Sequence, residues 1–100
     1  MIMYNRGNKL KTQIVNQAVK KLKAIANENR LRILYLIADR ELSVGAIEKE
    51  LHLSQSALSQ HLAILRNYGV VKTRREAQTI FYQMNDDKTR QIIELIARIF

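Results

Sequence analysis

The sequence contains no cysteine, no proline and no tryptophan, and only three glycines among its 100 residues. Lack of cysteine excludes disulfides, thiolate zinc sites, cysteine nucleophiles and thiol redox sensing together. With no proline and so little glycine, few positions interrupt a helix, so helix should dominate. No apolar run approaches the roughly 20 residues of a membrane span, and no charged-then-apolar leader precedes a cleavage site. Acidic residues are scarce as well: nine Asp plus Glu stand against 17 Lys plus Arg, a formal net charge of +8. That balance favours a polyanionic partner, either nucleic acid or an anionic membrane surface. What is present, 47% apolar and 26% charged residues, is the composition of one small folded domain. Such a domain buries only about two-thirds of its unfolded surface, so a partner subunit often supplements the core. The expectation is an intracellular, soluble, cytoplasmic and basic protein.

Residues 1–8 mix apolar and polar side chains without a period, which predicts a flexible arm ahead of a single domain over 9–100. From Lys9 onward, Leu10, Ile14, Ala18, Leu22 and Ile25 recur at spacings of three and four, the pattern of an amphipathic helix. Asn27 is a good cap for a second helix, which is apolar around most of its circumference and so belongs in the core. Residues 39–42 are short enough for a turn only. Ser43 should cap a third helix, Val44 to Leu51, and Ser54 a fourth that runs to Tyr68, with Gly69 just past its end. After Gly69 the period changes. Residues 70–75 and 79–84 are β-branched and aromatic, joined by Glu76-Ala77-Gln78, and read as a β-hairpin. Asn85 or Asp86 caps a last helix carrying Ile92, Ile93, Leu95, Ile96 and Ile99.

Two helices joined by a short turn, the second ending at a glycine and followed by a hairpin, are the order of a winged helix-turn-helix. The local sequence agrees. Residues 22–34, LKAIANENRLRIL, resemble the LKALANPTRLRIL signature of the ArsR family of bacterial regulators. Residues 41–47, ELSVGAI, look like its ELCVCDL segment with neither cysteine present, and residues 53–66, LSQSALSQHLAILR, are similar to its recognition helix. Residues 73–82 match its wing, and within the family the chain looks most like the branch of HlyU and BigR. The resemblance implies a mainly α fold with one β-hairpin, in the order α-α-α-α-β-β-α, a homodimer, and a transcriptional regulator of double-stranded DNA. That branch often senses oxidants or persulfides through two cysteines; here the second-helix position corresponds to Tyr35, so that switch cannot operate.

The residues support the same reading independently. At about 100° per residue, Ala57, Leu58, His61, Leu62, Ile64, Leu65 and Tyr68 form one arc of the fourth helix, and Gln55, Ser56, Ser59, Gln60, Ala63, Arg66 and Asn67 the other. A merely solvated face would ordinarily carry Lys and Glu. Glutamine can bond adenine bidentately, serine can serve base or phosphate, and small residues allow close approach in the major groove. Gln55, Ser56, Ser59 and Gln60 are therefore the expected base contacts. The expected phosphate contacts are His52, Ser54, Arg66, Arg74, Arg75 and Gln78, which would fix register and supply salt-dependent affinity. A strand edge defended by charge would also account for Lys72, Arg74 and Arg75; both roles can hold at once, and DNA is the favoured role of Arg74 and Arg75.

His61, on the apolar arc, suits packing better than base contact. Two histidines without cysteine make a poor zinc site, and Asp86, Asp87 and Glu94 suit capping and surface roles better than metal binding, so neither metal nor cofactor is expected. Leu10, Ile14, Ala18 and Leu22 on the first helix, with Ile92, Leu95, Ile96 and Ile99 on the last, exceed what one small core can cover and form the expected dimer interface. Three other classes compete. An enzyme lacks any visible triad, paired carboxylates or glycine-rich loop. A protein-interaction module, or an anti-silencing factor that displaces another DNA-binding protein, would use the same scaffold. Membrane-surface binding through Lys20, Lys21 and Lys23 lacks an exposed aromatic face to accompany the charge.

Overall fold

Four side-chain caps divide the chain into its helices. A computed structural model describes residues 11–100 and contains α1 (Thr12–Ile25), α2 (Glu28–Leu36), β1 (Leu42–Ser43), α3 (Val44–Leu51), α4 (Gln55–Asn67), β2 (Val71–Glu76), β3 (Thr79–Met84) and α5 (Asp87–Ile99). The expected arm at residues 1–8 and Leu10 lie outside the described residues. Asn27 Oδ1 accepts from the Asn29 and Arg30 amides at 2.9 and 3.1 Å, and Ser43 Oγ from the Ala46 amide at 3.1 Å. Ser54 Oγ accepts from the Ala57 amide at 3.1 Å, and Asp86 Oδ1 from the Lys88 amide at 3.0 Å. Each such cap contributes about 1 kcal/mol. Arg30 closes the other end of α1, donating from Nε to the Ala24 carbonyl (2.7 Å) and from Nη2 to that of Lys23 (3.1 Å). A cation there also meets the negative end of the helix dipole.

Ile33 and Leu34 of α2 and Ile37 at its C-cap lie in the core with Ile47 of α3, Leu58, Leu62 and Leu65 of α4, Val70, Val71, Tyr82 and Met84 of the hairpin region, and Ile93 of α5. Gly69, at φ 73°, terminates α4. Its amide donates to the Arg66 carbonyl and the Val70 amide to that of Leu65, the paired bonds of a Schellman motif. The chain thereby reverses directly into β2.

The structure departs from the expected order in one element. Residues 39–42 are more than a turn, because Leu42 and Ser43 form β1 and pair antiparallel with Tyr82 and Phe81 of β3. The sheet therefore has three strands, in the order β1-β3-β2, rather than a hairpin alone. A two-residue strand has no periodicity to display, and its pairing is set by where the hairpin folds back. Tyr68 also differs. As the C-cap residue of α4 it lies beyond the last full turn, and it is exposed rather than packed in the core. Lys21, one of the lysines of the membrane-surface reading, pairs with Asp86 at the start of α5.

Candidate nucleic-acid interface

Alternation along the hairpin sorts its side chains onto two faces. The register pairs Val71 with Met84, Thr73 with Tyr82 and Arg75 with Ile80, so these share the face turned toward the core and α4. Lys72, Arg74 and Glu76, opposite Gln83, Phe81 and Thr79, share the outer face. Arg74 and Arg75, adjacent in sequence, therefore face opposite ways.

The core-side face and α4 together border one groove. Gln55, Ser59 and Arg66 of α4 line it from one side, and Gln78, Ile80 and Tyr82 of the hairpin from the other. Ser56 and Gln60 are exposed on the same helix. Tyr82 is 3% exposed, and its hydroxyl accepts from Arg66 Nη1 at 2.6 Å, which holds the guanidinium at the groove. Ser54 uses Oγ as an acceptor for its cap, and its hydroxyl proton is left to donate. His52 is exposed in the turn between α3 and α4 at φ 55°, a left-handed position that histidine tolerates better than most residues. Arg75 is exposed on β2. The structure thus brings Gln55, Ser59, Arg66 and Gln78 together, with Ser56, Gln60, Ser54 and His52 along the same helix and the turn before it.

Arg74 is differently placed. Its Nη2 lies 2.7 Å from one Glu41 oxygen and its Nε 3.1 Å from the other, while Nη1 reaches Glu76 at 2.7 Å. The guanidinium also stacks 4.4 Å from the centroid of the Phe81 ring. Gln83 Nε2 donates to the same Glu41 at 3.1 Å. Hydrogen bonding to Arg74 holds the Glu41 carboxyl below the usual carboxylate range. Three donors of Arg74 are thus committed within the protein. Sequence reasoning did not include Glu41, Phe81 or Gln83, because only the β1–β3 pairing brings position 41 beside the hairpin. Cross-strand alternation was the available signal for Phe81 opposite Arg74.

His61 is half-buried, and its buried Nδ1 has no hydrogen-bond partner. Burial first, and then the nearby Arg30 charge, push its pKa down, so the imidazole is neutral at physiological pH. Among the described residues, no three His, Asp or Glu side chains gather as a metal site would require. No helix among them is long and apolar enough to cross a membrane.

Outside the groove, Ile14, Ala18 and Leu22 of α1 are exposed, Leu22 by 53%. On α5, Leu95 and Ile99 are exposed, while Ile92 and Ile96 rest partly on the core.

Comparison with known proteins agrees with this architecture. The family model described as bacterial regulatory protein, arsR family, matches residues 27–73. The transcriptional activator HlyU of Vibrio cholerae is 55% identical over 84 residues, covering 84% of this chain and 78% of that protein. The solved structure of HlyU from Vibrio cholerae superposes with a TM-score of 0.88 at 51% identity, over 90% of this chain and 98% of that one. The biofilm growth-associated repressor of Agrobacterium fabrum is 44% identical over 79% of this chain and 68% of its own length. A homodimeric winged helix-turn-helix DNA-binding domain from Mycobacterium bovis, solved in solution, gives a TM-score of 0.79 at 28% identity, over 95% of this chain and 89% of that domain.

Proposed function

This chain belongs to the ArsR family of bacterial regulatory proteins, and from that premise we propose that it is a homodimeric transcriptional regulator that reads a pseudo-palindromic DNA operator. The observation that carries the proposal is the exposed Gln and Ser face of α4, bordering a groove shared with the hairpin. In this reading α4 enters the major groove, where Gln55, Ser56, Ser59 and Gln60 meet base edges. Arg66, Arg75, Gln78, Ser54 and His52 meet backbone phosphates and set the register. Arg74, engaged by two carboxylates, supports the wing instead of meeting phosphate.

The apolar faces of α1 and α5 pair across a two-fold axis, the commonest oligomer geometry. Two recognition helices then lie about 34–36 Å apart on one side of the duplex. Regulation does not pass through thiols, since the chain has no cysteine, and the proposal includes neither metal nor cofactor. HlyU is named an activator and the Agrobacterium relative a repressor, so the proposal assigns no sign to the regulation.

Selection of bound duplexes from a random pool tests the proposal. The expected product is a pseudo-palindrome with half-sites one helical turn apart. Alanine at Gln55, Ser56, Ser59 or Gln60 should cost about 1–3 kcal/mol of base discrimination wherever the side chain makes a good base contact. Recovery of no common sequence, or unchanged specificity in all four variants, would contradict it.

A further inference from the structure

We propose that Glu41 is a positioning residue for DNA binding, holding the wing at the angle that delivers Arg75 and Gln78 to the phosphate backbone. The inference rests on the DNA-binding reading above and goes beyond it, because Glu41 itself lies outside the groove.

The geometry is that of a clamp across a sheet. Arg74 belongs to β2, the strand farthest from β1, and reaches over the ring of Phe81 on β3 to the carboxylate that immediately precedes β1. Glu41 is engaged from both strands of the hairpin, by Arg74 on β2 and Gln83 on β3. On its other side, Glu41 is two residues from Ser43, the cap of α3, so it is tied covalently to the helix-turn-helix. The clamp thus joins the two parts of the molecule that must meet DNA together.

Its position along the hairpin gives it leverage. β1 pairs only with Phe81 and Tyr82, so from Arg74 outward the hairpin projects as a two-stranded ribbon. Ribbons of two strands twist and bend easily. Arg75, Ala77 and Gln78 all lie on that projecting part. Three residues at about 3.4 Å each put the tip roughly 10 Å beyond Arg74, so a pivot of about 10° there moves it about 2 Å, enough to break a hydrogen bond. The clamp grips the hairpin where it leaves the three-stranded sheet.

The sign of the charge makes the inference testable. Glu41 is an acid beside a surface that meets a polyanion, so electrostatics alone predicts that its removal tightens binding. A positioning role predicts the opposite. The experiment measures the affinity of the full chain for the duplex selected by the wild type, using fluorescence anisotropy at several salt concentrations. Glu41→Gln and Arg74→Lys, the latter keeping charge but losing the planar fork, are read beside thermal melts of each variant. Both should weaken binding about tenfold, as expected for losing one or two wing contacts, with a shallower salt slope because the Arg75 contact to phosphate is lost. The double variant should bind no more weakly than either single variant. Glu41→Gln binding as tightly as the wild type, or more tightly, overturns the inference. Should Glu41→Gln melt below the assay temperature, wild-type affinity in Arg74→Lys overturns it equally. Failure of the wild type to bind any duplex would instead refute the DNA-binding reading on which it rests.

Discussion

Arg66 Nη1 donates to the hydroxyl of Tyr82 at 2.6 Å, and this bond joins the last turn of α4 to the middle of β3. Tyr82 contributes its ring to the core and only its hydroxyl to the groove. Tyr82→Phe should therefore keep the fold while releasing Arg66, at a cost of about 1 kcal/mol, because the freed guanidinium is solvent-accessible. Urea denaturation should show a lower midpoint with an unchanged slope, and binding to the selected duplex should weaken. A midpoint and an affinity both equal to wild type would show that the bond does not couple the two elements.

Asp86 should make stability pH-dependent. Burial pushes its pKa up, but hydrogen bonds from Lys21, Thr89 Oγ1 and the Lys88 amide outweigh burial and hold the carboxyl below its ordinary range. A folded-state pKa below the unfolded value of about 3.9 means the contribution is present at neutral pH and lost as pH falls through the folded value. Glu41 is shifted in the same direction and adds to the trend. Melting temperature should fall as pH drops from about 5 toward 3, and less steeply in Asp86→Asn, which can still cap α5. Identical pH profiles in the two proteins would contradict this assignment.

Ala77 sits at the hairpin tip at φ 55°, a conformation that costs an L-residue about 1–2 kcal/mol. Only the first residue of the two-residue loop has positive φ, the arrangement in which glycine ordinarily fills that position. Ala77→Gly should stabilise the protein by about 0.5–1 kcal/mol after the added unfolded-state entropy is counted. Chemical denaturation would read this directly, and a loss of stability would mean the loop is not held in this conformation.

Much of the architecture was legible in the sequence because its signals are local. Asn27, Ser43, Ser54 and Asp86 each cap the helix that their position predicts, and Gly69 ends α4 in the left-handed conformation. The exposed face of α4 followed from a single helical period. What remained hidden depends on pairing between distant segments. Leu42-Ser43 carries no strand signal by itself, so neither β1 nor the engagement of Arg74 by Glu41, 33 residues away, could be read from the sequence. Tyr68 shows the limit of periodicity, which continues on paper past the residue where the helix stops.

The dimer reading makes a separate demand on α1. Ile96 rests partly on its own core, whereas Leu22 is more than half exposed in the protomer, so Leu22→Glu is the cleaner probe. It should leave the circular dichroism spectrum unchanged, sediment as a monomer at micromolar concentration and bind the operator weakly. A variant that still sediments as a dimer would place the interface elsewhere.

The central claim, that α4 and the wing grip double-stranded DNA, is tested most directly by the affinity of the wild type for its selected duplex across a salt series. The account predicts a linear fall of log affinity with log salt. A dimer making about 6–10 phosphate contacts should lose about 10³–10⁵ in affinity between about 50 and 200 mM. An affinity indifferent to salt, or no measurable binding to any duplex at the lowest salt, would contradict it.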